Sequence, residues 1–255
     1  MISVESAHSP QAQDPRYLQV QLANRLGPDV GVACRDVDGD PRALFAEEAQ
    51  AIEKAIPRRQ REFAAGRSAA REALAQIGWT PQGIACANDR SPVWPEGLVG
   101  SIAHCRSACV AIVAPREQAH AVGIDMEEDL PLDPSLWTSV CTPAERSFLA
   151  SLPSSEQGRW GLRLFCAKEA YYKWQYPLTR RLLDFQEVEV RMDVEHSTFD
   201  VHAPDPVKSR LVTCTLQGRL HTSEGLVMAW LIGAPLKLTV ESDCRLPEES
   251  MEAPV

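Results

Sequence analysis

Apolar positions along this chain recur with two periods, one near helical spacing and one of two, and the period changes often. The pattern predicts short strands interleaved with helices. Residues 17–26 form a short structured piece, and residues 30–35 (VGVACR) a first strand. Residues 43–55 predict a helix whose apolar face is Leu44, Phe45, Ala49 and Ile52. After Pro57 a longer helix over residues 59–77 turns Phe63, Ala70, Leu74 and Ile77 inward and stops at Gly78. Residues 101–105 and 108–114 predict a hairpin that turns at Arg106 and Ser107. Residues 121–127 alternate as a strand. Thr142, Pro143 and Glu145 spell a capping box with proline at the first helical position, predicting a helix to about Leu149. A further helix contains residues 164–174 (LFCAKEAYYKW) and stops at Pro177. Strands follow over 183–194 and 198–202, then a closing hairpin over 211–220 and 226–232. Residues 1–15 are polar, carry Pro10 and Pro15, and read as a disordered lead-in.

A faint repeat runs through these elements. A helix beginning EFAAGR is followed by the hairpin GSIAHCRSACVAIVA, and a helix beginning LFCAKE by the hairpin GRLHTSEGLVMAWLI. The fold class predicted is α+β, with two similar lobes over residues 16–117 and 118–236 and an acidic tail over 237–255.

Composition narrows the setting. Apolar residues make up 44% and charged residues 24%, as in an ordinary soluble domain. No stretch approaches a membrane span, and the start lacks a signal peptide's basic and apolar regions. The eight cysteines form no CxxC pair and read as reduced thiols of a cytoplasmic protein. A net charge of −9 argues against nucleic acid as the main partner. The charge is uneven, however. Arg58, Arg59, Arg61, Arg67 and Arg71 face only Glu62 across residues 58–71, and such a patch on an acidic protein fits a small anion as well as a solvated helix face.

Candidate chemistry concentrates at three places. Arg67 and Arg71 are four apart on the predicted long helix, so they either splay into water or clamp a phosphate. Asp125 and Glu127 share one side of a strand. Glu169 and Lys173 share one face of a helix, where an isolated pair is ordinarily a solvated ion pair. Two carboxylates on a strand end and one on a helix can hold a hard divalent cation such as Mg²⁺. His104 ends a strand beside a turn, and Arg90 sits in a turn.

The motifs that hold these residues are Glu62-Phe63-x-x-Gly66-Arg67-x-x-Ala70-Arg71, Pro92-x-Trp94-Pro95-x-Gly97, Gly100-Ser101-Ile102-Ala103-His104, Gly123-Ile124-Asp125-Met126-Glu127 and Phe165-x-Ala167-Lys168-Glu169-x-x-x-Lys173. In this order they resemble the 4′-phosphopantetheinyl transferases of the Sfp and EntD type, with the run around Lys168 most like the actinobacterial enzymes. The resemblance covers roughly residues 58–185. It implies two lobes related by a pseudo-twofold, coenzyme A bound between them as substrate, and transfer of phosphopantetheine to a serine of an apo-acyl or peptidyl carrier protein. Asp125, Glu127 and Glu169 would hold Mg²⁺ or Mn²⁺. Glu169 would accept the serine proton. Lys168, Lys173 and His104 would bind phosphate oxygens, and Arg67, Arg71 and Arg90 the 3′-phosphate end. Ala103 departs from the family's Ser or Thr before the histidine. The expectation is a cytoplasmic, monomeric enzyme. Arg159, Arg163, Arg180 and Arg181 are expected to meet the carrier. A Mg²⁺-dependent hydrolase of another phosphoanhydride, or a non-catalytic coenzyme A or carrier-binding module, remains an alternative.

Overall fold

A computed structural model describes residues 14–203 and 216–233. Of the lead-in expected over 1–15, residues 1–13 lie outside the described residues, as do the acidic tail and the first positions of the expected strand over 211–220, whereas Asp14 and Pro15 are ordered as the start of a helix. Helix α1 (Pro15–Leu26) is capped by Asp14, whose carboxylate accepts from the Arg16 N–H. It is followed by β1 (Gly31–Asp36), α2 (Ala46–Ile52) and α3 (Pro57–Gln76). The hairpin β2 (Leu98–His104) and β3 (Ala108–Pro115) forms as predicted, and β4 (Ala121–Glu128) comes next. Helices α4 (Trp137–Val140), α5 (Pro143–Ser151) and α6 (Ser154–Thr179) precede β5 (Glu189–Asp193), β6 (Thr198–His202), β7 (Gln217–Ser223) and β8 (Leu226–Gly233).

Three expectations shift. The helix expected over 43–55 is broken at Leu44 and Phe45, which take extended backbone between a 3₁₀ turn (Pro41–Ala43) and α2. The Phe45 N–H donates to the fully buried Glu48 carboxylate, so Phe45 caps the helix and its ring is exposed. Helix α6 begins well before residue 164, at Ser154, because Gly158 and Gly161 serve packing: a Cβ at Gly158 would lie 2.7 Å from the Pro131 side chain. It also runs through Pro177 to Thr179, since a proline in the last turn removes only one terminal hydrogen bond. The strand expected over 183–194 is shorter, with a 3₁₀ turn (Phe185–Glu187) ahead of β5.

The strands form two antiparallel sheets, β1-β3-β2 and β4-β8-β7-β6-β5. β3 is central in the first and buried on both faces, which explains its unbroken apolar run. Ala33, Cys109, Ala111 and Val113 pack on α3, while Val32, Cys34, Val110 and Ile112 join α1 in a second cluster. That second cluster also takes Val122, Ile124 and Met126 of β4 with Met228 and Trp230 of β8. The opposite face of β8, with Val227, Ala229 and Leu231, packs on α6 through Leu164, Ala167, Ala170, Tyr171 and Trp174. The two sheets meet where β2 runs beside β4. There the buried Ser101 hydroxyl accepts the Ile124 N–H at 3.1 Å.

Candidate active site

The alternation of β4 decides what faces α6. Val122, Ile124 and Met126 enter the shared core, so Gly123, Asp125 and Glu127 project toward the helix. Gly123 lets α6 come close: a Cβ there would lie 2.1 Å from the Ala170 carbonyl oxygen and 2.7 Å from the Trp174 nitrogen. This approach sets Lys173 on Asp125, with Nζ donating to Oδ1 at 2.6 Å. The other Asp125 oxygen, Oδ2, is buried without a hydrogen-bond partner.

Glu127 and Glu169 lie close enough to feel this charge. Burial raises the Glu127 carboxyl to about 7, helped by Asp125 and then Glu169 and Glu128, with Lys173 opposing. Burial and Asp125 likewise raise Glu169. Burial works against the charge on Lys173, yet Asp125 and then Glu169 hold its ammonium above the ordinary range. Three neighbouring carboxylates with one cation thus lie at the junction of β4 and α6. Among the described residues no three acidic, histidine or cysteine side chains are gathered as a closed metal-ligand set. The donor set still suits a hard divalent ion: it is all carboxylate, the Asp125 charge helps raise the pKa of both Glu127 and Glu169, and one buried oxygen is unpaired.

Lys173 also lines a cleft of about 740 Å³ between the β2 end and the α6 end. Its cations are Arg59, Arg67, Arg90, Arg116, Lys173 and Arg180, against the carboxylates of Glu62 and Asp89. His104 stands on its wall, where Arg59 Nη1 lies 2.8 Å from its Nε2. The guanidinium can only donate, so Nε2 accepts and the imidazole is neutral. Burial and then the Arg59 charge keep the His104 pKa below its usual range. Arg67, only 5% exposed, stacks over Phe63 and donates to Cys86 Sγ at 3.1 Å, leaving its Nε unpartnered. Tyr172 and Leu182 are shared with a smaller pocket of about 250 Å³ that reaches Glu169, Leu183 and Phe185.

Two expected site residues lie elsewhere. Arg71 is not in the cleft: it donates twice to Glu48, at 2.7 and 2.9 Å, and to the Ala43 carbonyl at 3.1 Å. Glu48 needs that charge because it is fully buried and also accepts the Ile84 N–H. Arg67 and Arg71 therefore do not form a clamp. Lys168 turns into the protein, with Nζ at 2.7 Å from Glu145, 2.8 Å from the Val140 carbonyl and 2.7 Å from the Phe185 carbonyl. Both Lys168 and Glu145 are essentially fully buried, and this ammonium has no donor left for phosphate. Sequence reasoning missed Arg59, Arg116 and Tyr172 as cleft residues. Arg59 belonged to the visible basic run, whereas nothing in the sequence marks Arg116.

A cleft of this size, cationic on an acidic protein and ending at buried carboxylates, defines a protein for a polyanionic ligand of nucleotide scale. The family models agree in kind: residues 47–114 match the 4′-phosphopantetheinyl transferase N-terminal domain and residues 121–217 the 4′-phosphopantetheinyl transferase superfamily. The chain belongs to that superfamily. It is 38% identical over 215 residues to 4′-phosphopantetheinyl transferase Svp of Streptomyces mobaraensis, covering 82% of this chain and 87% of that protein. It is 32% identical to 4′-phosphopantetheinyl transferase PptT of Mycobacterium tuberculosis, covering 79% and 92%. With 4′-phosphopantetheinyl transferase Npt of Nocardia iowensis it shares 38% identity, covering 63% and 71%.

Proposed function

We propose that this enzyme transfers the 4′-phosphopantetheine moiety of coenzyme A to a serine of an apo-acyl or peptidyl carrier protein, releasing 3′,5′-ADP. The observation that carries the reading is the continuity of the cationic cleft with the carboxylate cluster through Lys173, which touches both. Coenzyme A brings three phosphates and a long uncharged arm. Arg59, Arg67 and Arg90 supply charge for the phosphates, and the small pocket beyond Tyr172 and Leu182 suits the arm.

Asp125, Glu127 and Glu169 would hold the divalent ion, Mg²⁺ or Mn²⁺. When bound, that ion offsets charge on the pyrophosphate. Lys173 places a second positive charge at the same end of the cleft, where charge develops on the leaving phosphate. His104 and Arg59 present donors along the β2 wall. Glu169, its carboxyl already raised by burial, is poised to take the proton of the carrier serine, directly or through water. The serine oxygen bonds to the phosphorus that bears the pantetheine arm as the anhydride bond to 3′,5′-ADP breaks. Lys168 and Arg71 take no part in phosphate binding on this reading. They hold α6 and α3 against their neighbours.

We also infer that residues 16–117 and 118–236 are two lobes related by a pseudo-twofold, with the cleft between them, and that the enzyme works as a cytoplasmic monomer. Among the described residues no helix is long and apolar enough to cross a membrane. Intact-mass measurement of apo-carrier proteins incubated with the protein, coenzyme A and Mg²⁺ tests the proposal. The carrier should gain one phosphopantetheine. Coenzyme A cleaved without a change in carrier mass would favour an anhydride hydrolase, and neither change a binding module.

A further inference from the structure

One cluster in the cleft is used by none of the chemistry above. The turn of residues 87–91 comes from the chain between α3 and β2, and the end of α6 from the other half of the molecule. Asp89 joins them: its Oδ2 accepts from the Tyr176 hydroxyl at 2.8 Å and from Arg180 Nη1 at 3.0 Å. Arg180 also reaches the Ser91 hydroxyl at 3.3 Å. Within the turn, Asp89 Oδ1 accepts from the Ser91 N–H and hydroxyl at 3.0 and 2.6 Å. The Arg90 N–H bonds the Ala87 carbonyl, and the Ala87 N–H the Ser91 carbonyl. Asp89 thus both shapes this turn and ties it across the cleft, with the Ser91 hydroxyl beside it.

The backbone angles place two arginines at this junction. Four residues other than glycine have positive φ among the described residues: Arg90, Arg180, Ser197 and Glu224. Ser197 and Glu224 belong to the β5–β6 and β7–β8 hairpin turns, which ask for such angles. Arg90 (φ 67°) and Arg180 (φ 54°) sit on either side of the Asp89 junction. Arg180 takes this angle as the left-handed cap that ends α6, its N–H bonding the Tyr176 carbonyl, and Arg90 takes it within the 87–91 turn. Here the result is that Arg90 and Arg180 both line the cleft.

We propose that Asp89, Tyr176 and Arg180 form a clasp that closes the cleft mouth between the 87–91 turn and the end of α6, and so sets Arg90 against the phosphates of the bound nucleotide. The inference rests on the reading of coenzyme A as the cleft's ligand. Asp89 and Tyr176 are positioning residues in it. The pairs are partly exposed, with side-chain exposures of 59% for Arg180 and 32% for Asp89, so they add little to stability and open readily for ligand exchange.

Asp89→Asn and Tyr176→Phe, singly and together, test the clasp by transfer kinetics and by calorimetric titration of coenzyme A. Asp89→Asn should raise KM and Kd for coenzyme A by roughly tenfold, the loss of one charge-assisted contact, with kcat at saturating coenzyme A within about twofold of wild type. The melting temperature should stay the same. The double variant should be scarcely worse than Asp89→Asn alone, because both substitutions cut one junction. Asp89→Asn should also weaken 3′,5′-ADP binding, since the clasp acts on the nucleotide end. An unchanged Kd for coenzyme A in Asp89→Asn, or losses that add fully in the double variant, would overturn the clasp. Wild-type protein run alongside separates the two proposals: no transfer by wild type sinks the function itself, whereas wild-type transfer with normal affinity in the variants sinks only the clasp.

Discussion

Lys168 and Lys173 share one helix, yet at about 100° per residue their side chains leave it about 140° apart. One enters the core beside Glu145 and the other reaches Asp125 at the cleft. Lys168→Met strands the buried Glu145 charge and should cost about 3–5 kcal/mol of stability, read by denaturant melts. Lys173→Met also leaves a buried carboxylate, Asp125, without its cation and should lower stability too, but it should in addition lose transfer at saturating substrates wherever it remains folded. A stable Lys168→Met, or a folded Lys173→Met that transfers normally, would contradict this division. The arginines divide in the same way. Arg67→Ala should weaken coenzyme A more than 3′-dephospho-coenzyme A, by about 1.5–3 kcal/mol. Arg71→Ala should instead lower the melting temperature, because Glu48 is left buried with no counter-charge. Glu127 offers a pH test. Its folded pKa is about 7 against an ordinary 4.5, so the metal-free folded state holds the extra proton in that window. Stability therefore falls as pH rises from 4.5 through 7. In EDTA, Glu127→Gln should melt higher than wild type at pH 8 and no higher at pH 4. A difference of the same size at both pH values would count against the assignment.

At the scale of elements, the contact of α6 with β4 is what assembles the site. A glycine at 123 is required by space, because any Cβ would meet the α6 backbone. Gly123→Ala should push the helix outward, cost about 1–3 kcal/mol as overpacking does, and lower kcat by separating Lys173 and Glu169 from Asp125. Melting curves and kinetics on one preparation check both effects. Normal kcat with lowered stability would show that the carboxylate cluster tolerates the shift. The β2–β4 seam works alongside this contact. Ser101 carries a side-chain hydrogen bond across that seam, and it brings the His104 end of β2 beside the carboxylate strand.

For the whole molecule, net charge and local charge pull apart. The protein carries −9, so an acidic carrier cannot be drawn by the overall field and must meet a local basic rim. Of the expected docking arginines, Arg181 is paired with Glu187 and Arg180 is committed to Asp89. Arg163 lies over Trp160, 3.6 Å from Asp129 just past the acidic end of β4. Arg163→Glu should raise the KM for the carrier and flatten its salt dependence while leaving the KM for coenzyme A nearly unchanged. An unchanged carrier KM would move the docking surface elsewhere.

Much of this was legible in the sequence. The hairpin of β2 and β3, the capping box of α5, the side shared by Asp125 and Glu127 and the face shared by Glu169 and Lys173 all follow from local periodicity. A strand's period of two and a helix's period of 3.6 are properties of the backbone alone. The family was legible as well, because its motifs are contiguous in the chain. What lay beyond the sequence was every choice between two partners far apart along it. The spacing of Arg67 and Arg71 could not show that Glu48 would claim the second, nor could the KExxxK run show that Glu145 would claim its first lysine. The meeting of Asp89 with Tyr176 and Arg180 is likewise invisible to local pattern. A buried carboxylate takes whichever cation the fold brings within reach, because leaving its charge unpaired costs several kcal/mol. Which cation arrives is decided only when the sheets and helices pack.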